Sequence, residues 1–168
     1  SNTPLNYCDT DSFIDFLPVV PSQISGLLKS KHLKYVKNLI IGGAKLPVSL
    51  ENKLKSLNIN TYCTYGMTET CSHVALRSIY EDFYKALPGF KFSVDHRNCL
   101  IIESETMSFK QLVTNDIVEL HDSISFRWIG RFDNVINSGG IKLFPEQIEA
   151  KIESILEGRN FFVTSRDS

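Results

Sequence analysis

Three stretches of this sequence hold more hydroxyls, carboxylates and bare backbone than a core needs. In residues 61–70, Thr61-Tyr62-Cys63-Thr64-Tyr65-Gly66-Met67-Thr68-Glu69-Thr70, an extended run enters a glycine turn dense with threonines. Threonine hydroxyls donate to phosphate oxygens, a glutamate such as Glu69 can hold Mg²⁺, and the face of Tyr65 can stack on a base. Gly42-Gly43-Ala44 closes an earlier apolar run, and its small side chains leave N–H and C=O groups open to close approach. The third stretch runs from Gly130-Arg131-Phe132-Asp133 to Ser138-Gly139-Gly140-Ile141-Lys142, with Asp116 one hairpin's length before it. A carboxylate accepts bonds from both hydroxyls of a ribose, and an arginine bridges hydroxyl and phosphate oxygens. Each stretch also has an ordinary reading: a tight strand-to-loop turn, a threonine-rich turn with an exposed acid, and a surface salt bridge.

The elements that would carry these groups follow from apolar periodicity. Ile24, Leu27 and Leu28 at helical spacing after Pro21 predict a helix, and Leu39-Ile40-Ile41 predicts a strand closed by Gly42-Gly43. Pro47 can open a helix carrying Leu50, Leu54 and Leu57, and residues 58–65 return to an extended pattern. This alternation of helix and strand predicts α/β layers on a mainly parallel sheet. Residues 90–94, 99–102, 111–113 and 126–129 read as short strands of an antiparallel or barrel-like β unit. A hairpin turns at Ser138-Gly139-Gly140, and Pro145 opens a helix with Glu146 and Glu149 in its first turn. That helix has Ile148, Ile152, Ile155 and Leu156 on one face and stops at Gly158, and residues 161–164 read as a further strand.

Lys plus Arg number 18 and Asp plus Glu 19, a net charge of −1, so no basic excess drives binding to nucleic acid or an anionic membrane. No apolar run is long enough for a membrane span, and a basic-then-apolar leader is absent from the first residues. A soluble, cytoplasmic chain is expected. Cys8, Cys63, Cys71 and Cys99 form no CxxC pair and no cluster with His32, His73, His96 or His121, which predicts reduced thiols and no zinc site.

GGA after a strand, then YGMTE, then Thr114-Asn115-Asp116, then GRFDNVINSGGIKLFPEQIE resemble, in order and spacing, the motifs of the adenylate-forming acyl-CoA synthetase superfamily. There the pattern is YGxTE, TGD and GRxDxxIxxGGxKVxPxEIE. Within it, VVPSQISGLL, LIIGGAKLP and TYGMTETCSHVALR are most similar to the ligases that activate o-succinylbenzoate in menaquinone biosynthesis. The resemblance implies an α/β fold: the C-terminal part of a large AMP-binding domain, an α/β layer plus a small β-barrel-like unit, over residues 1–131, then a hinge and the start of a small α+β domain over residues 132–168. It implies an acid–thiol ligase that joins a carboxylic acid to AMP from ATP, with Mg²⁺, and passes the acyl group to coenzyme A.

By that resemblance Gly43, Ala44, Thr64, Tyr65, Gly66 and Met67 border the adenine and acyl pocket, with Tyr65 against the base. Thr68 bonds the α-phosphate, Glu69 ligates Mg²⁺, Asp116 takes the ribose hydroxyls, and Arg131 reaches ribose or phosphate. Asp133 matches the hinge, Gly139, Gly140 and Lys142 the pantetheine channel, and Ser72 the acyl substrate. Phe132, Val135, Ile136, Ile148 and Ile152 read as packing. In two places the sequence departs from the family: Asn115 replaces the glycine of TGD, and neither the phosphate-binding loop nor the C-terminal catalytic lysine lies within these 168 residues. The chain by itself is therefore expected to form no acyl-adenylate, being either part of a longer enzyme or a nucleotide-binding or interaction module without chemistry. A fatty or aromatic acid is the alternative substrate. A severed sheet edge would also favour self-association.

Overall fold

The computed structural model describes residues 13–153, 155–156 and 161–165. Three parallel strands, β1 (Ile14–Val19), β2 (Val36–Ile41) and β3 (Asn60–Gly66), alternate with two helices, α1 (Pro21–Leu27) and α2 (Val48–Lys55). The predicted helix–strand alternation is present, and β1 adds a strand that the periodicity did not single out. Val36, Leu39 and Ile41 of β2 join Ile24 and Leu27 of α1 and Leu54 of α2 in the first apolar cluster. Burial of these branched side chains, each contributing roughly 1.5–3 kcal/mol, holds the helices on the sheet.

The sheet does not end at Gly66. It turns antiparallel through β4 (His73–Ser78) and β5 (Tyr84–Ala86), which pairs with β9 (Ser125–Arg131). Beyond β9 lie β8 (Gln111–Asp122), β7 (Cys99–Ser104) and β6 (Phe90–Val94), giving a mixed sheet in the order β1-β2-β3-β4-β5-β9-β8-β7-β6. The mainly parallel layer and the antiparallel unit of the sequence reading are thus one sheet. The strand ladder does not close into a ring among the described residues, although Phe92 N donates to Ser123 O at 2.8 Å and curls β6 toward the β8–β9 turn. Phe126 fills the concave side, edge-on to Phe92 at 4.9 Å and to Tyr65 at 5.0 Å.

The glycine hairpin is a separate pair, β10 (Ile136–Ser138) with β11 (Ile141–Leu143), and α3 (Pro145–Ile152) follows. Two expectations are corrected here. The helix ends at Ile152, leaving Ile155 74% exposed, and Gly158 lies outside the described residues. Residues 161–165 are irregular because Val163 N donates to Glu149 Oε1 at 2.8 Å instead of joining a ladder. Cys63, Cys71 and Cys99 are free thiols, and Cys8 lies outside the described residues.

Two polar contacts tie the helices down. α2 starts at Pro47, which offers no side-chain cap, and Glu153 supplies one from the far end of α3: Val48 N, Ser49 N and Ser49 Oγ donate to its carboxylate at 2.9, 3.1 and 2.6 Å. Arg77 of β4 makes a forked pair with Glu51 of α2, at 3.3 and 2.9 Å, and also donates to Glu81 O at 2.9 Å. Burial works to raise the Glu51 carboxyl, but the bonds and charge from Arg77 and Lys55 outweigh it and hold the group below its ordinary value. Both side chains of the Arg77–Glu51 pair are only 15% exposed, so removing one partner strands the other.

Glu51→Gln is expected to cost roughly 2 kcal/mol at neutral pH, somewhat less than a fully buried pair would lose. The pair contributes above the ordinary carboxylate range and is lost as pH falls through the lowered value. The gap between wild type and variant in urea unfolding should therefore narrow as pH falls below the ordinary carboxylate range.

Candidate active site

Motif residues far apart in sequence converge on Asp116. Tyr65, at the carboxyl end of β3, donates its hydroxyl to Asp116 Oδ2 at 2.6 Å. Arg131, at the end of β9, is the ladder partner of Asp116 and brings Nη1 to 3.6 Å from Oδ1, an ion contact beyond hydrogen-bond length. Thr114 Oγ1 accepts from Asp116 N at 3.1 Å. The Asp116 carboxylate is nearly buried, with 6% of the residue exposed, while the Arg131 side chain lying over it is 47% exposed. Burial first, and then the Asp116 charge and hydrogen bond, push the Tyr65 phenol far above its ordinary value, so it stays a neutral donor. Its ring is enclosed by Phe126 and Tyr84, which position it rather than leave it free.

The two glycine stretches meet beside it. A Cβ on Gly42 would lie 2.4 Å from Thr64 Oγ1, so the bare backbone at the end of β2 makes room for the β3 threonine. Gly43 follows at φ +84°, and both Gly43 and Ala44 are exposed. A Cβ on Gly66 would lie 2.3 Å from the Ser72 carbonyl, and the β3–β4 ladder bulges there. Between Gly66 and His73 the chain makes a tight 3-10 turn, Thr68–Thr70. The buried Thr70 hydroxyl accepts from Met67 N at 3.0 Å and donates to Ser72 O at 2.6 Å, and Cys71 sits at φ +59°. That internal bracing leaves Thr68 and Glu69 exposed. Thr70 and Arg77 both stand in quoted motifs, yet their bracing roles depend on contacts that no spacing reveals.

No group of three His, Cys, Asp or Glu suited to a metal is present among the described residues. Glu69 fits the one-carboxylate mode in which Mg²⁺ takes its remaining ligands from phosphates and water. Ser72, also exposed, holds its Oγ 3.1 Å from His73 Nδ1.

Asp133 lies in a second 3-10 turn, Phe132–Asn134, with Arg131 Nη2 3.4 Å from its Oδ2. Glu146 of α3 reaches back under this turn: its Oε1 accepts from Asn134 Nδ2 at 2.7 Å and from Arg131 N at 3.3 Å. Gly130 makes the space, since a Cβ there would lie 2.5 Å from Glu146 Oε2. Sequence reasoning took Glu146 for a helix-start acid, and that glycine was the available signal. Gly139 and Gly140 need no Cβ-free space, with nothing within 4 Å, but their φ of +55° and +81° is the glycine region. They turn the separate β10–β11 hairpin, where exposed Lys142 faces Asn137, so these three residues are not gathered around Asp116. A cavity of about 390 Å³ beside the turn is lined by Asp133, Asn134, Glu146 and Glu149. Another of about 520 Å³, lined by Ser22, Lys45, Lys53 and Glu153, lies among the three helices.

A mixed α/β sheet with functional loops at the carboxyl ends of its parallel strands is the frame of a ligand-binding α/β enzyme domain. The chain belongs to the AMP-binding enzyme family, whose model matches residues 11–110, a span that holds both glycine stretches and stops before Asp116. The 2-succinylbenzoate–CoA ligase of Escherichia coli is 29% identical over 151 residues, which are 80% of this chain and 33% of that protein. A solved acyl-CoA synthetase (AMP-forming)/AMP-acid ligase II-like protein from Dyadobacter fermentans is 37% identical, with a TM-score of 0.70, covering 92% of this chain and 46% of its own. A variant of Escherichia coli MenE with bound OSB-AMS is 26% identical, with a TM-score of 0.69, covering 83% of this chain and 35% of its own. The chain thus spans about a third of the length of the curated relatives it matches. Among the described residues no helix is long and apolar enough to cross a membrane.

Tyr65→Phe removes a bond to a buried charge and is expected to cost about 2 kcal/mol. Because the folded phenol is raised, its contribution is complete below the unfolded value of about 10 and shrinks as pH climbs above it. Denaturation midpoints of the two proteins should differ at neutral pH and approach each other above about pH 10.

Proposed function

We propose that the chain is the adenylate-holding part of an ATP-dependent carboxylic acid:CoA ligase, and that its acid is o-succinylbenzoate. The observation that carries this reading is the meeting of Tyr65, Asp116 and Arg131, three motif positions from separate stretches, at one carboxylate. Asp116 takes the two ribose hydroxyls, replacing its own Tyr65 and Arg131 contacts in part, and Arg131 follows the sugar or phosphate. Thr68 donates to the α-phosphate. Glu69 would hold Mg²⁺, which would supply positive charge at the phosphates; the acid's carboxylate attacks the α-phosphorus and pyrophosphate leaves. The thiol of coenzyme A then attacks the acyl carbon and AMP departs. Gly43, Ala44, Thr64, Gly66 and Met67 form the wall against the base and acyl group, with Ser72 toward the acid.

Residues 1–131 belong to the large domain in this reading, and residues 132–168 begin a small domain that pivots at Asp133. After the pivot, Gly139, Gly140 and Lys142 border the path of the thiol arm. The resemblance of TYGMTETCSHVALR and the succinylbenzoate ligase relative support the choice of acid. A cytoplasmic site of action accords with the free thiols.

Calorimetric titration of the chain with AMP tests the half-site, and Asp116→Asn should weaken binding by about tenfold or more. Equal affinity would overturn the assignment. ATP–pyrophosphate exchange by the isolated chain should stay at the level of a protein-free control. For the complete enzyme, thioester formation should favour o-succinylbenzoate over long-chain acids, and the reverse order would remove the proposed substrate.

A further inference from the structure

We propose that Asn115, braced by Arg97, is the positioning residue for Asp133 and, through Arg131, for Asp116. This inference rests on reading Asp116 as the ribose acid and Asp133 as the pivot. Asn115 occupies the place where the family motif has glycine, so its side chain is an addition that the motif does not require. Its Nδ2 donates to both Asp133 oxygens, at 3.4 and 3.3 Å, and its Oδ1 accepts from Arg97 Nη1 at 3.2 Å. A flipped amide would put its oxygen against a carboxylate and its NH₂ against a guanidinium, so the flanking charges fix its orientation.

Arg97 is itself anchored. It sits in the tight β6–β7 turn, where Asn98 has φ +62°, and Asp95 binds its Nε and N at 2.8 Å each. Its guanidinium lies 4.9 Å over the Phe132 ring, the residue before Asp133. The polar chain Asp95–Arg97–Asn115–Asp133–Arg131–Asp116–Tyr65 therefore runs unbroken from the β6–β7 turn to the carboxyl end of β3. Swinging the segment beyond Asp133 requires Asn115 to release the pivot carboxylate. Arg131, which shares its guanidinium between Asp133 and Asp116, is then held by Asp116 alone.

The test uses the full chain without ligand, following by NMR the exchange of the Arg131 and Val135 amides, which donate to Glu146 Oε1 and Phe132 O. Asn115→Ala should speed both by about fivefold. Asn115→Asp, closer in shape but without the donor, should speed them at least as much. The swap Asn115→Asp with Asp133→Asn restores one donor facing one acceptor and should return exchange to within about twofold of wild type. Leu100 and Ile102 amides serve as the control for an intact sheet, and Arg97→Ala should act in the same direction should the Asn115 variants fail to fold. Unchanged exchange in Asn115→Ala, or no rescue by the swap, would overturn the proposal. AMP titration of the same proteins separates the two readings: wild type that binds no AMP but shows the exchange pattern keeps the latch and loses the nucleotide site.

Discussion

A carboxylate taken almost entirely out of water has to be met by donors, and in this fold that demand falls on Asp116. Its two partners lie on the same side of β8 in the strand order: Arg131 on the adjacent β9, its hairpin partner, and Tyr65 on β3, the last parallel strand. Arg131 would reach it in any case as a ladder neighbour, but Tyr65 could not if the parallel and antiparallel parts were separate sheets. The continuity of the ladder from β3 through β4 and β5 to β9 is therefore what assembles the site. Phe126, fully buried and in edge contact with Tyr65 and Phe92, fixes the distance between the two halves.

Close approaches at glycine make this geometry possible. Gly66 lets the Ser72 carbonyl and His73 pass where any side chain would collide with backbone, and so the exposed Thr68-Glu69 turn stands directly beside the strand carrying Tyr65. Gly130 does the same for Glu146, whose Oε2 is buried without a hydrogen-bond partner while Oε1 holds Arg131 N and Asn134. An acid placed so costs desolvation that its two bonds only partly offset. It is kept at the junction between the sheet and α3, where a polar grip can also be released.

Much of this frame was legible from periodicity. α1, α2, β2, β6, β7 and the β10–β11 hairpin sit where the apolar spacing and the glycine–proline punctuation place them. β8 was seen only at residues 111–113, because Asn115, Asp116 and Glu119 interrupt its alternation; it runs through Asp122 with bulges after Ile117 and Leu120. β4 and β5 escape the periodicity since their apolar residues Val74, Ala75 and Tyr84 show no clean alternation and follow a polar turn. Of the site, the residue types were readable and their partners were not. The meeting of Tyr65 with Asp116, the grip of Arg77 on Glu51 and the cap that Glu153 provides for α2 all join residues whose separation in sequence carries no local signal.

The distribution of apolar and polar contacts also bears on how the two ends of the chain move. Both apolar clusters draw their members from Ile14 to Trp128, and among the described residues neither includes one beyond the Phe132–Asn134 turn. The named contacts crossing that turn are polar: Lys45 Nζ to Glu146 O at 2.8 Å, Glu153 on the start of α2, Glu146 on Arg131 N and Asn115 on Asp133. A polar contact at an exposed junction exchanges for water at about 1 kcal/mol, whereas separating packed apolar side chains costs that much for each methylene or two uncovered. The sheet is thus rigid where Asp116 must be held, and the segment carrying β10, β11 and α3 is joined to it by contacts that can be traded one at a time. On the function proposed above, a chain that must present a fixed carboxylate to one reactant and later clear a path for another needs its apolar core on one side of the Phe132–Asn134 turn, and that is where this sequence puts it.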